Sequence, residues 1–166
     1  MRLHLSLSID LSQAVNSVGG FSMADWADDV LAKLKNQQQQ KQLQDAVFLE
    51  RQQLKKAKGM PLWREVRQRV QENCEALNMK SRKSLLRVGV KHEMELFVAS
   101  DIEGRHYQLE ANFDEDAARL SWTCGEKHGQ WDIDVLQDGS VKFTGGMVPT
   151  SPESIAKQML DTLVFG

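Results

Sequence analysis

Leu86-Arg87-Val88-Gly89-Val90-Lys91-His92-Glu93-Met94-Glu95-Leu96-Phe97-Val98 is the stretch that decides the fold. Leu86, Val88, Val90, Met94, Leu96 and Val98 fall at every second position, with His92 on the same parity, which is the period of a pleated strand that buries one face. The stretch is either one long strand bent at Gly89 or two strands turning near His92. Upstream of Lys83 the apolar residues recur instead every three or four positions, the spacing of helices. A helical front therefore gives way to a sheet-forming back.

Alternation restarts after a turn at Asp101-Ile102-Glu103-Gly104, with Tyr107, Leu109, Ala111 and Phe113. Further runs follow at Leu120, Trp122 and Cys124, at Trp131, Ile133 and Val135, and at Val141 and Phe143. Asp138-Gly139 between the last two is a tight hairpin signal. Parallel pairing needs a crossover of about a dozen residues or more, and these connections are too short for one, so the strands form an antiparallel meander of four to six. One sheet face is apolar. The other carries Glu93, Glu95, Glu110, Asp132 and Asp134, as suits a face that meets water.

Ahead of the sheet, Ser22 and Asp25 have the offset of a capping box, and a helix is expected to start near Met23. Trp26, Val30, Leu31 and Leu34 give it a first apolar stripe, but Lys35 to Gln42 has no apolar residue and is a solvated helical spacer or a linker. Leu43, Val47, Leu54 and Ala57 resume the pattern until Gly59-Met60-Pro61, which combines a helix-ending glycine with a proline suited to a new first turn. A second amphipathic helix is expected over 62–77, with Leu62, Val66, Val70, Cys74 and Leu77 on one face. A terminal helix follows Thr150 as N-cap, with Pro152 in its first turn and Ile155, Met159, Leu160 and Leu163 as its stripe. The fold class is α+β, with the terminal helix and the 62–77 helix packed on the apolar sheet face. The expected organisation is a leader or edge strand over 1–22, carrying Leu3, Leu5, Leu7 and Ile9, then a helical arm over 23–58 and a two-layer domain over 61–166. Met23 is an alternative start of the functional chain.

Of the 166 residues, 41% are hydrophobic and 27% charged, and the net charge of −2 gives no general attraction to nucleic acid or anionic lipid. The charge is unevenly placed. Residues 23–83 hold 13 basic and 8 acidic side chains, a net +5, whereas residues 84–166 hold 7 and 14, a net −7. No run approaches the roughly 20 apolar residues of a membrane span, and the alternating first nine residues are not a signal peptide, so a cytoplasmic protein is expected. Cys74 and Cys124 read as small buried hydrophobes with free thiols.

No residue set specifies a chemistry, so no catalytic, cofactor-binding or metal-binding residue is assigned and an enzyme is not the leading expectation. Asp132 and Asp134 share a strand face and could act as an acid/base pair or hold a hard cation, but a solubilising face explains them as well. Cys124 and His128 are two soft ligands without the second pair that a structural zinc needs. Three functions are weighed. The first is a non-enzymatic protein-interaction or homo-oligomerisation module using Trp26, Val30, Leu34, Leu43, Val47, Leu54 and Trp63. The second is a small-molecule or lipid pocket between sheet and terminal helix, lined by Tyr107, Trp122, Trp131 and Met159. The third, ranked below the other two, is nucleic-acid or acidic-lipid binding through the basic helical segment 51–69, with Arg51, Lys55, Lys56, Arg64 and Arg67 as its anion contacts.

Overall fold

A computed structural model describes the backbone of residues 23–145 and 148–166, and the side chains of 25–145 and 150–166. The leader or edge strand expected over 1–22, and Ser22 as a cap, lie outside the described residues. The chain divides into two units, one ending at Ala46 and one running from Val47 to Gly166.

Helix α1 (Met23–Ser81) is followed by β1 (Leu86–Gly89), β2 (Glu95–Ile102), β3 (Arg105–Asp114), β4 (Arg119–Cys124), β5 (Lys127–Val135), β6 (Val141–Gly145), β7 (Val148–Thr150) and α2 (Pro152–Phe165). All strands are antiparallel and lie in the sheet in sequence order, which is the expected meander. A three-residue seventh strand extends it. The opening stretch resolves into two strands rather than one bent strand: β1 pairs β2 from Leu86 opposite Ser100 to Gly89 opposite Phe97. His92 is exposed in the turn between them, where its carbonyl accepts from the Glu95 N–H at 3.0 Å.

Turn chemistry sets the other registers. Glu103 and Gly104 take φ of 53° and 76°, the left-handed pair that closes a two-residue hairpin whose twist matches its strands. Gly139 at φ 77° does the same work in the turn where Leu136 N–H donates to Ser140 C=O at 2.8 Å. Strand alternation then puts Leu96, Val98, Leu109, Ala111, Phe113, Leu120, Trp122, Trp131, Ile133 and Phe143 on one buried face. Aromatic rings on both faces lie over glycines. A Cβ on Gly129 would sit 2.5 Å from Trp122 Nε1, and one on Gly89 would sit 2.0 Å from Phe97 Cζ.

Two helices roof the apolar face. The part of α1 from Gly59 contributes Trp63, Val66, Val70 and Cys74, and α2 contributes Ile155, Ala156, Met159, Leu160 and Leu163, all in one core cluster. The N-cap of α2 is Ser151 rather than Thr150, because the Ser151 hydroxyl accepts from the Ser154 N–H at 3.1 Å and leaves Pro152 at the first helical position.

The expected break at Gly59-Met60-Pro61 is absent: α1 runs through it as one 59-residue helix. Gly59 ends no helix. It is buried because the helix presses on the sheet there, so that a Cβ would lie 3.0 Å from Phe113 Cζ and 3.4 Å from Ile133 Cδ1. Pro61 gives up one ladder hydrogen bond and costs about 3 kcal/mol relative to Ala in a helix interior. That cost is offset by the docking of the same turn, since fully burying each of Trp63, Val66 and Val70 contributes on the order of 1.5–3 kcal/mol.

The two positions give opposite predictions. Pro61 is exposed, so Pro61→Ala is expected to stabilise the domain by about 1–3 kcal/mol in urea unfolding. Gly59→Val is expected to destabilise it by about 1–3 kcal/mol by overpacking against Phe113, despite removing a glycine from a helix.

Candidate functional site

Within the unit that ends at Ala46, four large apolar side chains of the described helix stand exposed. Trp26 is 61% exposed, Leu31 63%, Leu34 55% and Leu43 67%. At about 100° per residue Trp26, Val30 and Leu34 share one side of the helix, with Val30 half-buried, and Leu43 lies on another. In the second unit Val47, Phe48 and Leu49 are also exposed, while Leu54 is half-buried. Trp63 belongs elsewhere. It is fully buried, stacks on Phe113 at 6.1 Å between ring centroids and donates its indole N–H to the Glu93 carbonyl at 2.8 Å. Of the seven expected interface residues, six therefore lie along Trp26–Leu54 and the seventh anchors the core.

Three of the four expected pocket residues lie together in the core and the fourth stands apart. Trp122, Trp131 and Met159 are buried in the core, where the two indoles stack at 6.4 Å. Tyr107 is exposed on β3 and lines a separate recess of about 290 Å³ with Ser100, Ile102 and Leu163. Trp122 Nε1 is buried and has no hydrogen-bond partner, the one such side-chain atom among the described residues. A recess of about 300 Å³ on the polar sheet face is lined by Lys91, Glu95, Phe97, Glu110, Asn112, Ser121 and Thr123, a surface of mixed charge.

The basic residues meet the acidic sheet of the same chain. Lys55 pairs with Asp134 at 3.0 Å and Lys56 with Asp116 at 3.2 Å. Arg64 pairs with the Glu93 carboxylate, and Arg67 Nη1 donates to the Glu93 carbonyl at 2.8 Å. Arg51 is exposed and acts only at a distance, helping to lower Asp134. Three of the basic side chains of α1 are thus held by carboxylates of the strand region, a pairing that composition alone does not locate.

The carboxylates are occupied in the same way. Asp132 accepts from Arg119 at 2.6 Å and Asp134 from Lys55, so the two share a strand but not a task. The Lys55 ammonium holds the Asp134 carboxyl below its ordinary value, and Arg64 does so for Glu93. No group of three or more His, Cys, Asp or Glu suited to a metal occurs among the described residues. Cys74 and Cys124 are free and buried, and burial pushes the Cys74 thiol up to about 11. Both lack the activation a nucleophilic thiol requires.

No helix among the described residues is long and apolar enough to cross a membrane. No protein-family model matches the chain, and no curated protein or solved structure matches it either.

Two expectations follow from these sites. Folded protein is expected to leave Cys74 unmodified by iodoacetamide at pH 8, with labelling appearing only in urea; rapid native labelling read by mass spectrometry would contradict the burial. For Glu93 and Asp134 the folded carboxyl lies below its unfolded value, so their stabilisation is complete above the unfolded value and is lost as pH falls through the folded one. Urea midpoints are expected to fall below about pH 4.5, and Lys55→Met is expected to flatten that fall.

Proposed function

We propose that this chain is a non-enzymatic assembly module that forms homo-oligomers through the α1 segment around Trp26, Leu31, Leu34 and Leu43. The observation that supports the reading is the exposure of four large apolar side chains between Trp26 and Leu43, each more than half exposed. Burying apolar surface contributes roughly 25 cal/mol per Å², and scattered single exposures need no explanation, but four within 18 residues of one helix leave much apolar area uncovered among the described residues. Helical stability in water comes mostly from packing an apolar face, and these residues find that packing in another copy. Since Leu43 lies on a different side of the helix from Trp26 and Leu34, a narrow two-helix seam covers only part of the surface. A bundle of several helices covers more.

Native mass spectrometry and light scattering on the full chain test the reading. The expected result is an oligomer at micromolar concentration that the triple variant Trp26→Ser, Leu34→Ser, Leu43→Ser converts to monomer. Because these side chains are exposed, each substitution is expected to change the stability of the sheet domain by no more than about 0.5 kcal/mol. A wild-type monomer under these conditions would sink the proposal.

A further inference from the structure

Among the described residues β1 is an outer strand of the sheet, with β2 as its one strand neighbour. In this ladder Asp101 N–H donates to Leu85 C=O at 2.8 Å, and the alternation of antiparallel pairs then turns the N–H and C=O of Leu86 and Val88 away from β2. The Asn78 carboxamide takes the Leu86 pair. Its Nδ2 donates to Leu86 C=O at 2.7 Å, and its Oδ1 accepts from Leu86 N–H at 3.0 Å and from Leu85 N–H at 2.8 Å. One side-chain amide thereby makes the bonds that a peptide unit of an adjoining strand would make. At Val88 no side chain among the described residues stands in.

Beside Val88 the edge opens into a recess of about 380 Å³ between β1 and α1. Val88, Val90 and Leu96 supply its apolar lining, and Arg64, Arg67, Gln68 and Gln71 of α1 form its wall. Val90 is 47% exposed. The single carboxylate in the lining, Glu93, is already held by Arg64. Lys80, Arg82, Lys83 and Arg87 are exposed around the strand and belong to none of the ion pairs among the described residues. Such cations repel the β1 edge of a second copy and so select against self-pairing. They favour an acidic strand.

We propose that the β1 edge is a binding site for an extended acidic segment of another protein, which adds as a further strand beside Val88. Its alternate side chains are apolar and enter the recess over Val88 and Leu96, while its carboxylates meet Arg87 and the Lys80–Lys83 cluster. The site uses no residue before Arg64 and stands independently of the proposed oligomerisation.

The probe is a fluorescein-labelled peptide of alternating Glu and Val, with a Lys/Val peptide as control, titrated by fluorescence polarisation into the full chain at low salt. Binding of the Glu/Val peptide, weakened by added salt and absent for the control, is the expected result. Val88→Pro removes the outward N–H without touching the ladder to β2, and is expected to lower affinity by about fivefold to tenfold. Should Val88→Pro lose its native circular dichroism, Arg87→Glu serves instead and is expected to abolish the preference for the acidic peptide. Chemical-shift changes of the labelled full chain confined to Lys80–Lys91 and Arg64–Gln71 would support the site. Failure of the Glu/Val peptide to bind, equal binding of both peptides, or affinity unchanged in the variant would overturn it.

Discussion

Trp63 is the point on which the two layers depend. Its ring lies flat on Phe113 of β3, and its indole N–H reaches the carbonyl of Glu93 in the β1–β2 turn. Arg67 donates to the same carbonyl and Arg64 to the carboxylate of that residue, so one turn of helix fixes the connection that starts the sheet. A buried aromatic with a satisfied polar tip combines a large apolar area with one directional constraint. The area supplies stability, and the hydrogen bond supplies register. Asn78 repeats the device about four turns later by bonding Leu85 and Leu86, so that α1 holds β1 at both ends. Between them these contacts make a continuous helix the better solution at Pro61, where local propensity alone favours a break.

The sheet was legible because a period of two with turn residues at short intervals has few other solutions. Tyr107 shows the limit of parity: it shares the inward side with Leu109, yet it is exposed beside the last turn of α2. His92 was placed inward only if the strand continued, and the turn removed that condition. Gly59 carried a misleading signal, because a glycine chosen for close approach of helix to sheet is indistinguishable in sequence from one chosen to end a helix. Only the facing Phe113 separates the two. Thr150 and Ser151 are both competent caps, and the choice between them rests on which hydroxyl reaches Ser154 N–H.

The candidate surfaces were legible in part. Exposed apolar side chains on a helix follow from the polar gap at Lys35 to Gln42, since a segment that cannot be buried takes its apolar neighbours into water with it. The fate of the basic residues did not follow from sequence. Lys55 and Asp134 are far apart along the chain, and only the crossing of α1 over β5 brings them together. The open edge at Val88 was equally hidden, because Asn78 reads as a helix terminator until its carboxamide is seen lying along β1.

Pro61 has a consequence for cooperativity. Without its N–H the carbonyl four residues earlier lacks the usual helical donor, so the ladder of α1 is interrupted beside the point where the helix meets the sheet. Local opening costs least where few side chains are buried, so within α1 the amides around buried Val66 and Val70 exchange more slowly than those around exposed Val47–Leu49.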